Sequence, residues 1–281
     1  FRSVGFTSNI LDSSKYASAI TLVGNTEKRT VEDLFTLSVG SVMIAYILAT
    51  RTEIFGRTFS EFDADGMLKD PLVTFAGGII LRHLQIYAVN SQMLCEWDPK
   101  ENNSFTRAMA LVPLYGLINH SCNPSVAYTA HGKFTALHAV RPIKKGEQIF
   151  DDRGIYYGNA PRELRQSKRR EDSFFFCECI ACEENWPLFY NLPSYTTMDL
   201  NPMVRKKLDE IMCAHSFFTI IRSHSMLEVG KIAYFSIASI IDHLKTLYKY
   251  VKQPCQEIDE VTRTLQNIYN QITNRYQSLD G

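Results

Sequence analysis

Three closely spaced cysteines in the second half of the chain constrain the fold more than any other feature. Cys177, Cys179 and Cys182 form a C-x-C-x-x-C segment that directly follows three phenylalanines. A tetrahedral zinc site takes about four protein ligands, and this segment supplies three of them. The seven cysteines are an odd number and no charged-then-apolar leader precedes them, so a secreted disulfide framework is disfavoured. We therefore expect a metal site whose fourth ligand comes from elsewhere in the chain.

The composition of the chain limits the cellular compartments and the binding partners that we expect. The 281 residues carry 30 basic and 30 acidic side chains, so we expect no general electrostatic affinity for nucleic acid or membrane. The longest apolar run, Val39 to Ala49, is interrupted by Gly40 and Ser41 and is shorter than the ~20 residues that cross a bilayer. We predict a soluble, monomeric protein of the cytoplasm or nucleus that contacts neither nucleic acid nor membrane directly.

Two helix starts are visible in the first third of the chain. Thr30 precedes an acidic turn and an apolar run, which predicts a capped helix ending near residue 55. Asp70-Pro71 places an N-cap and a first-turn proline before a second helix, whose apolar residues recur on one face as far as Tyr87. His83 lies on the same stripe, and we interpret it as a packing residue.

Short alternating runs cut by turn residues follow, from Asn90 to Phe150, and this pattern is typical of strands. Ser125–Ala130 and Lys133–Val140 flank His131-Gly132 and predict a hairpin. Beyond the cysteines, Asn201-Pro202 begins a region of helical periodicity that predicts a helical domain.

The basic segment Arg162 to Arg170 allows two interpretations. One is a nucleic-acid or nuclear-import patch. The other is a solvated helix, because Glu163 and Glu171 stand near its ends. We favour the solvated helix.

Three elements in fixed order resemble the SET-and-MYND (SMYD) branch of the SET-domain lysine methyltransferases. They are an N-H-S-C-x-P element at Asn119–Ser125, an R-x-I-x-x-G-E-x-I element at Arg141–Ile149, and an aromatic before C-x-C-x-x-C at Phe175–Cys182. The resemblance implies an α+β fold: a SET-type irregular β core with a helical insert, a Cys-rich zinc post-SET segment and an α-helical C-terminal domain. The implied divisions are 1–105 for the insert, 106–170 for the SET core, 171–188 for the post-SET segment and 189–281 for the C-terminal domain.

The resemblance also implies the residues of a site. Cys122 would be the fourth ligand of a structural Zn²⁺ ion that has no open coordination position and that holds the phenylalanines over a cofactor pocket. Among the cofactor contacts, Phe175 would stack on the adenine and Asn90 would reach the amino-acid end. The implied ligands of zinc are Cys122, Cys177, Cys179 and Cys182, and the implied contacts of S-adenosylmethionine are Asn90, Asn119, His120 and Phe175.

The chain departs from the family pattern where a catalytic tyrosine is expected. The position four residues after Ile149 holds Arg153, and the position four before Cys177 holds Ser173. A guanidinium ~4 Å from the cofactor sulfonium would repel it by about 4 kcal/mol at an effective dielectric of 20. Tyr156 and Tyr157 follow closely, and a slip of the loop would let one of them take the role. The candidate catalytic positions are therefore Arg153, Tyr156 and Tyr157.

Two further family parts are missing from these 281 residues: a G-x-G element and a MYND-type group of Cys and His. The first residue is Phe1, so we expect either a longer gene product or a cofactor pocket that has lost one wall.

Three functions remain open on this sequence. The first is an S-adenosylmethionine-dependent lysine methyltransferase of SMYD type that acts on protein substrates, with histones as one candidate. The second is a catalytically degenerate SET module that binds partners such as co-repressor proteins. The third is a plain zinc-bound scaffold.

Overall fold

Short strand pairs alternate with helices along the part of the chain that the structure describes. This structure is a computed structural model, and it describes residues 6–7, 10–12, 15–98, 103–131, 134–221 and 226–273. The chain divides into two units. The first comprises Phe1–Gln92, Ala110–Leu117 and Arg169–Phe175, and the second comprises Met93–Met109, Ile118–Lys168 and Phe176–Gly281.

The first unit is mainly helical. A two-residue strand pair, β1 (Phe6–Thr7) with β2 (Ile10–Leu11), precedes four helices: α1 (Tyr16–Ile20), α2 (Val31–Arg51), α3 (Ala64–Lys69) and α4 (Pro71–Asn90). A single-turn helix, α5 (Pro113–Gly116), also belongs to it. The buried core of α2–α4 consists of Ala49, Phe59, Met67 and Val73.

Both predicted helix starts are confirmed. The Thr30 hydroxyl accepts the Asp33 N–H at 3.1 Å, which caps α2. One Asp70 carboxylate oxygen accepts the N–H groups of Leu72 and Val73 at 2.9 and 3.3 Å, which caps α4. Helix α2 ends at Arg51, a few residues before the predicted end.

Gly40 and Ser41, which interrupt the apolar run of the sequence, do not break helix α2. They lie where α2 packs on α4: the Ser41 hydroxyl donates to the Gly77 carbonyl at 2.6 Å, and Gly40 faces the Leu84 side chain. Small residues at this position let the two helices approach closely. His83 packs against the Tyr16 ring at 5.5 Å, in agreement with the sequence interpretation.

Helices α2 and α4 are each long and apolar enough to cross a membrane by length and composition alone. In α2 and α4, only 22% and 17% of the apolar 18-residue stretch is buried. However, α4 carries Arg82, whose guanidinium donates to the Leu22 carbonyl at 2.8 Å. The core helices of proteins without membrane spans meet the same length and composition criteria, so the absence of a membrane contact stays a prediction.

The second unit contains the irregular strands. Its strand elements are β3 (Ser91–Asp98), β4 (Asn103–Leu111), β5 (Asn119–His120), β6 (Val126–His131), β7 (Phe134–Ala139) and β8 (Phe150–Asp151). Strands β6 and β7 pair antiparallel with Val126 opposite Ala139, so the predicted hairpin is confirmed, although its turn at 132–133 lies outside the described residues. Strands β5 and β8 pair in parallel, with Asn119 opposite Phe150 and His120 opposite Asp151.

The remaining helices are α6 (Arg162–Ser173), α7 (Ile180–Glu183), α8 (Pro202–Ile221), α9 (Met226–Tyr250) and α10 (Gln256–Thr273). Helices α8–α10 form the predicted helical domain around a shared core that includes Leu208, Ile240, Leu247, Val261 and Leu265. The mixed fold with a helical C-terminal region is therefore confirmed, while the boundaries between the four predicted divisions stay predictions.

The solvated-helix interpretation of α6 is wrong for two of its arginines. Arg165 is completely buried and Arg169 is 4% exposed. Local charge density suggested solvent exposure, but the Arg165 side chain is hydrogen-bonded to residues before α6 and in α7.

Candidate functional site

The four predicted zinc ligands lie together in the second unit. The sulfur atoms of Cys122, Cys177, Cys179 and Cys182 are all within 4.8 Å of one another. The sulfur of Cys122 is 3.6 Å from that of Cys182 and 3.9 Å from that of Cys177. A tetrahedral site with Zn–S bonds near 2.3 Å requires sulfur–sulfur separations of about 3.8 Å. The donor set therefore fits a zinc ion, whereas a disulfide would need about 2.05 Å.

Backbone turns present these cysteines to one another. Cys179 is the N-cap of the short helix α7, and its carbonyl accepts the Cys182 N–H at 2.8 Å. Cys122 directly follows β5 and Ser121, and its carbonyl accepts the Tyr157 N–H at 3.0 Å. The site thus joins the strand region to the segment after α6, as the resemblance implied.

The close contact between the thiols shifts the pKa values of Cys122 and Cys179 in opposite directions. Hydrogen bonding to Cys177 and Cys179, together with burial, raises the pKa of Cys122. Hydrogen bonds from Cys122 and Cys177 lower the pKa of Cys179. A divalent cation at the centre of the four sulfur atoms would offset repulsion between neighbouring thiolates.

The strand β5 carries the two second-unit residues predicted to contact the cofactor. Asn119 is exposed and His120 is half-buried. The His120 Nε2 atom lies 3.5 Å from the Cys122 sulfur, so the imidazole faces the cysteine cluster. Parallel pairing with β8 sets Asn119 beside Phe150, which brings the N-H-S-C element next to the end of the G-E-x-I element.

Arg153 lies in the tight turn after β8. Its backbone is left-handed, with φ of 45°, and its N–H donates to an Asp151 carboxylate oxygen at 2.8 Å. The guanidinium Nη2 donates to the Ile118 carbonyl at 3.0 Å. The side chain of Arg153 therefore reaches the residue immediately before Asn119.

The two candidate tyrosines are buried. The Tyr156 hydroxyl donates to the Asp259 carboxylate, and the Tyr157 ring meets the Trp186 ring edge-on at 4.9 Å. Burial raises the pKa of both phenols, so both are neutral at physiological pH. The structure brings Tyr156 to helix α10, and a catalytic role for either tyrosine stays a prediction.

Two predicted cofactor residues belong to the first unit. Asn90 is buried, and its amide nitrogen donates to the carbonyls of Val23 and Ile86 at 2.7 and 2.9 Å. Phe175 is half-buried beside Phe174, whose ring lies 5.2 Å from the Arg29 guanidinium. Their roles toward a cofactor stay predictions.

Three residues that contact these groups were not identified from the sequence. Gln166, Arg165 and Asp259 contact Cys177, Cys182 and Tyr156 respectively. Each lies 11 to 103 residues from its contact. No local spacing predicts such contacts, although Arg165 and Gln166 lie shortly before residue 171, where the predicted post-SET segment begins.

Comparison with known proteins agrees with this geometry. Residues 16–153 match the SET domain family model. Human protein-lysine N-methyltransferase SMYD4 is 29% identical over 121 residues, which covers 40% of this chain and 15% of the relative. The mouse SMYD4 protein is 25% identical over 180 residues, covering 60% and 22%. Human N-lysine methyltransferase SMYD2 is 39% identical over 74 residues, covering 26% and 16%.

The chain thus contains a SET domain, the catalytic module of a class of protein-lysine methyltransferases. The three relatives named above are SMYD proteins of that class. The matched part spans between 15% and 22% of the length of these three relatives.

Proposed function

We propose that this chain is an S-adenosylmethionine-dependent protein-lysine N-methyltransferase of SMYD type, slowed by Arg153. The observation that carries the proposal is the parallel pairing of β5 with β8, which sets Asn119 and His120 beside the end of the G-E-x-I element. The adjacent four-cysteine cluster supports the same family site. The protein substrate is a lysine side chain, with histones as one candidate class.

In this proposal the four cysteines hold one structural zinc ion. Four thiolates close a tetrahedral site and leave no position for a reacting water or substrate. Binding joins Cys122, after β5, to the segment that begins at Cys177. Metal binding there is folding free energy for the post-SET segment.

Methyl transfer requires a neutral lysine amine. Removing the proton from a lysine of pKa ~10.4 at pH 7 costs roughly 4–5 kcal/mol, so the substrate channel must be dry and free of further cations. S-adenosylmethionine would supply the methyl group from a positively charged sulfonium. The neutral phenols of Tyr156 and Tyr157 suit such a channel electrostatically, whereas the Arg153 guanidinium does not.

Arg153 favours a second candidate function, a SET module that binds partner proteins such as co-repressors without methylating them. The Arg153 guanidinium near the sulfonium would weaken cofactor binding. The tyrosine expected at this position would orient the substrate amine, and Arg153 does not provide that hydroxyl group. Together these effects correspond to more than about a hundredfold in rate.

The two functions are separated by measuring cofactor binding and methyl transfer on the same protein. Isothermal titration with S-adenosylmethionine gives the affinity, and radiolabelled transfer to a panel of lysine-rich proteins that includes histones gives the rate. We expect weak binding and slow transfer, both improved in Arg153→Tyr, and no change in the control Arg162→Tyr, which alters an exposed arginine on α6.

Other outcomes assign the site differently. Fast transfer that is lost in Tyr156→Phe or Tyr157→Phe identifies a downstream tyrosine as the catalytic residue. Fast transfer that is indifferent to all three positions contradicts the proposed site. Absence of cofactor binding in both the wild type and Arg153→Tyr favours the interaction module.

A further inference from the structure

Arg165 is a fully buried cation beside the cysteine cluster. Its side chain on α6 has 0% exposure. One terminal nitrogen, Nη1, donates to the carbonyls of Tyr157 and Ala160 at 3.3 and 2.6 Å. The other, Nη2, donates to the Ala181 carbonyl at 3.2 Å and to the Cys182 sulfur at 3.7 Å. The guanidinium therefore connects the loop before α6 to the helix that carries Cys182.

The charge of Arg165 requires a negative partner. An arginine is always protonated in a protein, and a buried cation is costly unless an anion compensates it. Within the part of the chain that the structure describes, its oxygen partners are all backbone carbonyls. Cys182 is the partner that can carry a formal negative charge. Four thiolates around a divalent ion carry a net charge of about −2, which supplies the compensation.

Gln166, the next residue of α6, holds the backbone of a second predicted zinc ligand, Cys177. The Gln166 side-chain nitrogen donates to the Cys177 carbonyl at 2.7 Å, and its oxygen accepts the Cys177 N–H at 3.0 Å. Two consecutive residues of α6 therefore hold two of the four cysteines, one through its sulfur and one through its backbone. Outer contacts of this kind orient ligands and adjust the affinity for the metal.

We propose that Arg165 is a positioning residue of the zinc site, which neutralises thiolate charge and donates an N–H···S hydrogen bond to Cys182, and thereby strengthens zinc binding. The proposal rests on the zinc site of the proposed function. It extends that site to a residue that a nucleic-acid or solvated-helix interpretation of the basic segment would leave without a role.

The test compares Arg165→Met, Arg165→Lys and the control Arg162→Met. Methionine keeps much of the length without charge or donors, and Arg162 is an exposed arginine three residues earlier on the same helix. Zinc affinity is measured by competition with a chromophoric chelator. We expect Arg165→Met to weaken zinc binding about 10–100-fold, as for other outer contacts of metal ligands. Arg165→Lys should weaken it less because it keeps the charge, and Arg162→Met should leave it unchanged.

A spectroscopic readout separates this role from general destabilisation. Cobalt(II) in place of zinc gives a sulfur-to-metal charge-transfer band whose energy depends on hydrogen bonds to the sulfur. The band should shift in Arg165→Met and in Arg165→Lys, because neither reproduces the donor to Cys182. An unshifted band with wild-type zinc affinity in Arg165→Lys overturns the proposal, and that variant remains informative if Arg165→Met does not fold. Wild-type protein that binds no zinc contradicts the zinc site itself, which is a different failure.

Discussion

A buried carboxylate on the last helix should contribute strongly to stability. Asp259 of α10 is fully buried, accepts the Tyr156 hydroxyl proton and forms an ion pair with Arg263, whose Nε lies 2.7 Å from a carboxylate oxygen. Arg263 also donates to the Asn159 side chain at 2.6 Å and lies over the Tyr156 ring. These contacts fasten the loop after β8 to the C-terminal helical domain.

The expected costs follow from these contacts. Tyr156→Phe removes a hydrogen bond to a charged group and should cost about 2 kcal/mol. Asp259→Ala leaves Arg263 without its buried partner, a change that costs about 3–5 kcal/mol in other proteins. We expect about 3 kcal/mol, at the lower end, because the Arg263 side chain is 32% exposed and keeps Asn159 as an acceptor. Burial also raises the pKa of Asp259, which shows that its ionised form is already disfavoured.

The assay is equilibrium urea unfolding of zinc-loaded protein at constant pH, with the double variant Tyr156→Phe/Asp259→Ala completing a cycle. Because both changes remove one shared interaction, the double variant should cost about 1–2 kcal/mol less than the sum of the singles. The control is Asp242→Ala, which removes a 73% exposed carboxylate paired with Lys245 and should cost less than about 1 kcal/mol. A loss in Asp259→Ala no larger than this control, or additive effects in the cycle, would refute the reasoning.

Two further predictions concern metal and pH. Cys122→Ser should lower the zinc content measured by elemental analysis and the stability of the post-SET segment. The control Cys213→Ser, at an exposed cysteine, should change neither. Full zinc content in Cys122→Ser contradicts the four-ligand site. Burial lowers the pKa of His138 below 6.5, where its ring stacks on Tyr269 and contacts Thr129, so the folded state binds fewer protons than the unfolded state. Stability should therefore fall as the pH falls below about 6.5, and the thermal midpoint of His138→Phe should fall less between pH 7.5 and 5.5; equal shifts in both proteins contradict this.

Local signals in the sequence predicted what depends on near neighbours. The caps at Thr30 and Asp70 act within three residues, so they could be read directly. The spacing of the cysteines and the paired family elements located the metal site, because metal geometry restricts the choice of ligands.

Contacts between separate segments of the chain could not be predicted from the sequence. The charge pattern of α6 indicated solvent, but Arg165 is buried because carbonyls and a thiol from other segments surround it. Tyr156 and Asp259 are 103 residues apart, and no periodicity relates them. The hydrogen bond from Ser41 to the Gly77 carbonyl, 36 residues away, likewise depends on the packing of α2 on α4.

The separation of the cysteines along the chain has a consequence for synthesis. Cys122 leaves the ribosome 60 residues before Cys182. At a synthesis rate of about 5–20 residues per second, roughly 3–12 s pass between the synthesis of Cys122 and that of Cys182. During that interval the strand region carries one of the four thiols of the cluster. A translation product that stops anywhere between these two positions therefore lacks the complete set of four thiols.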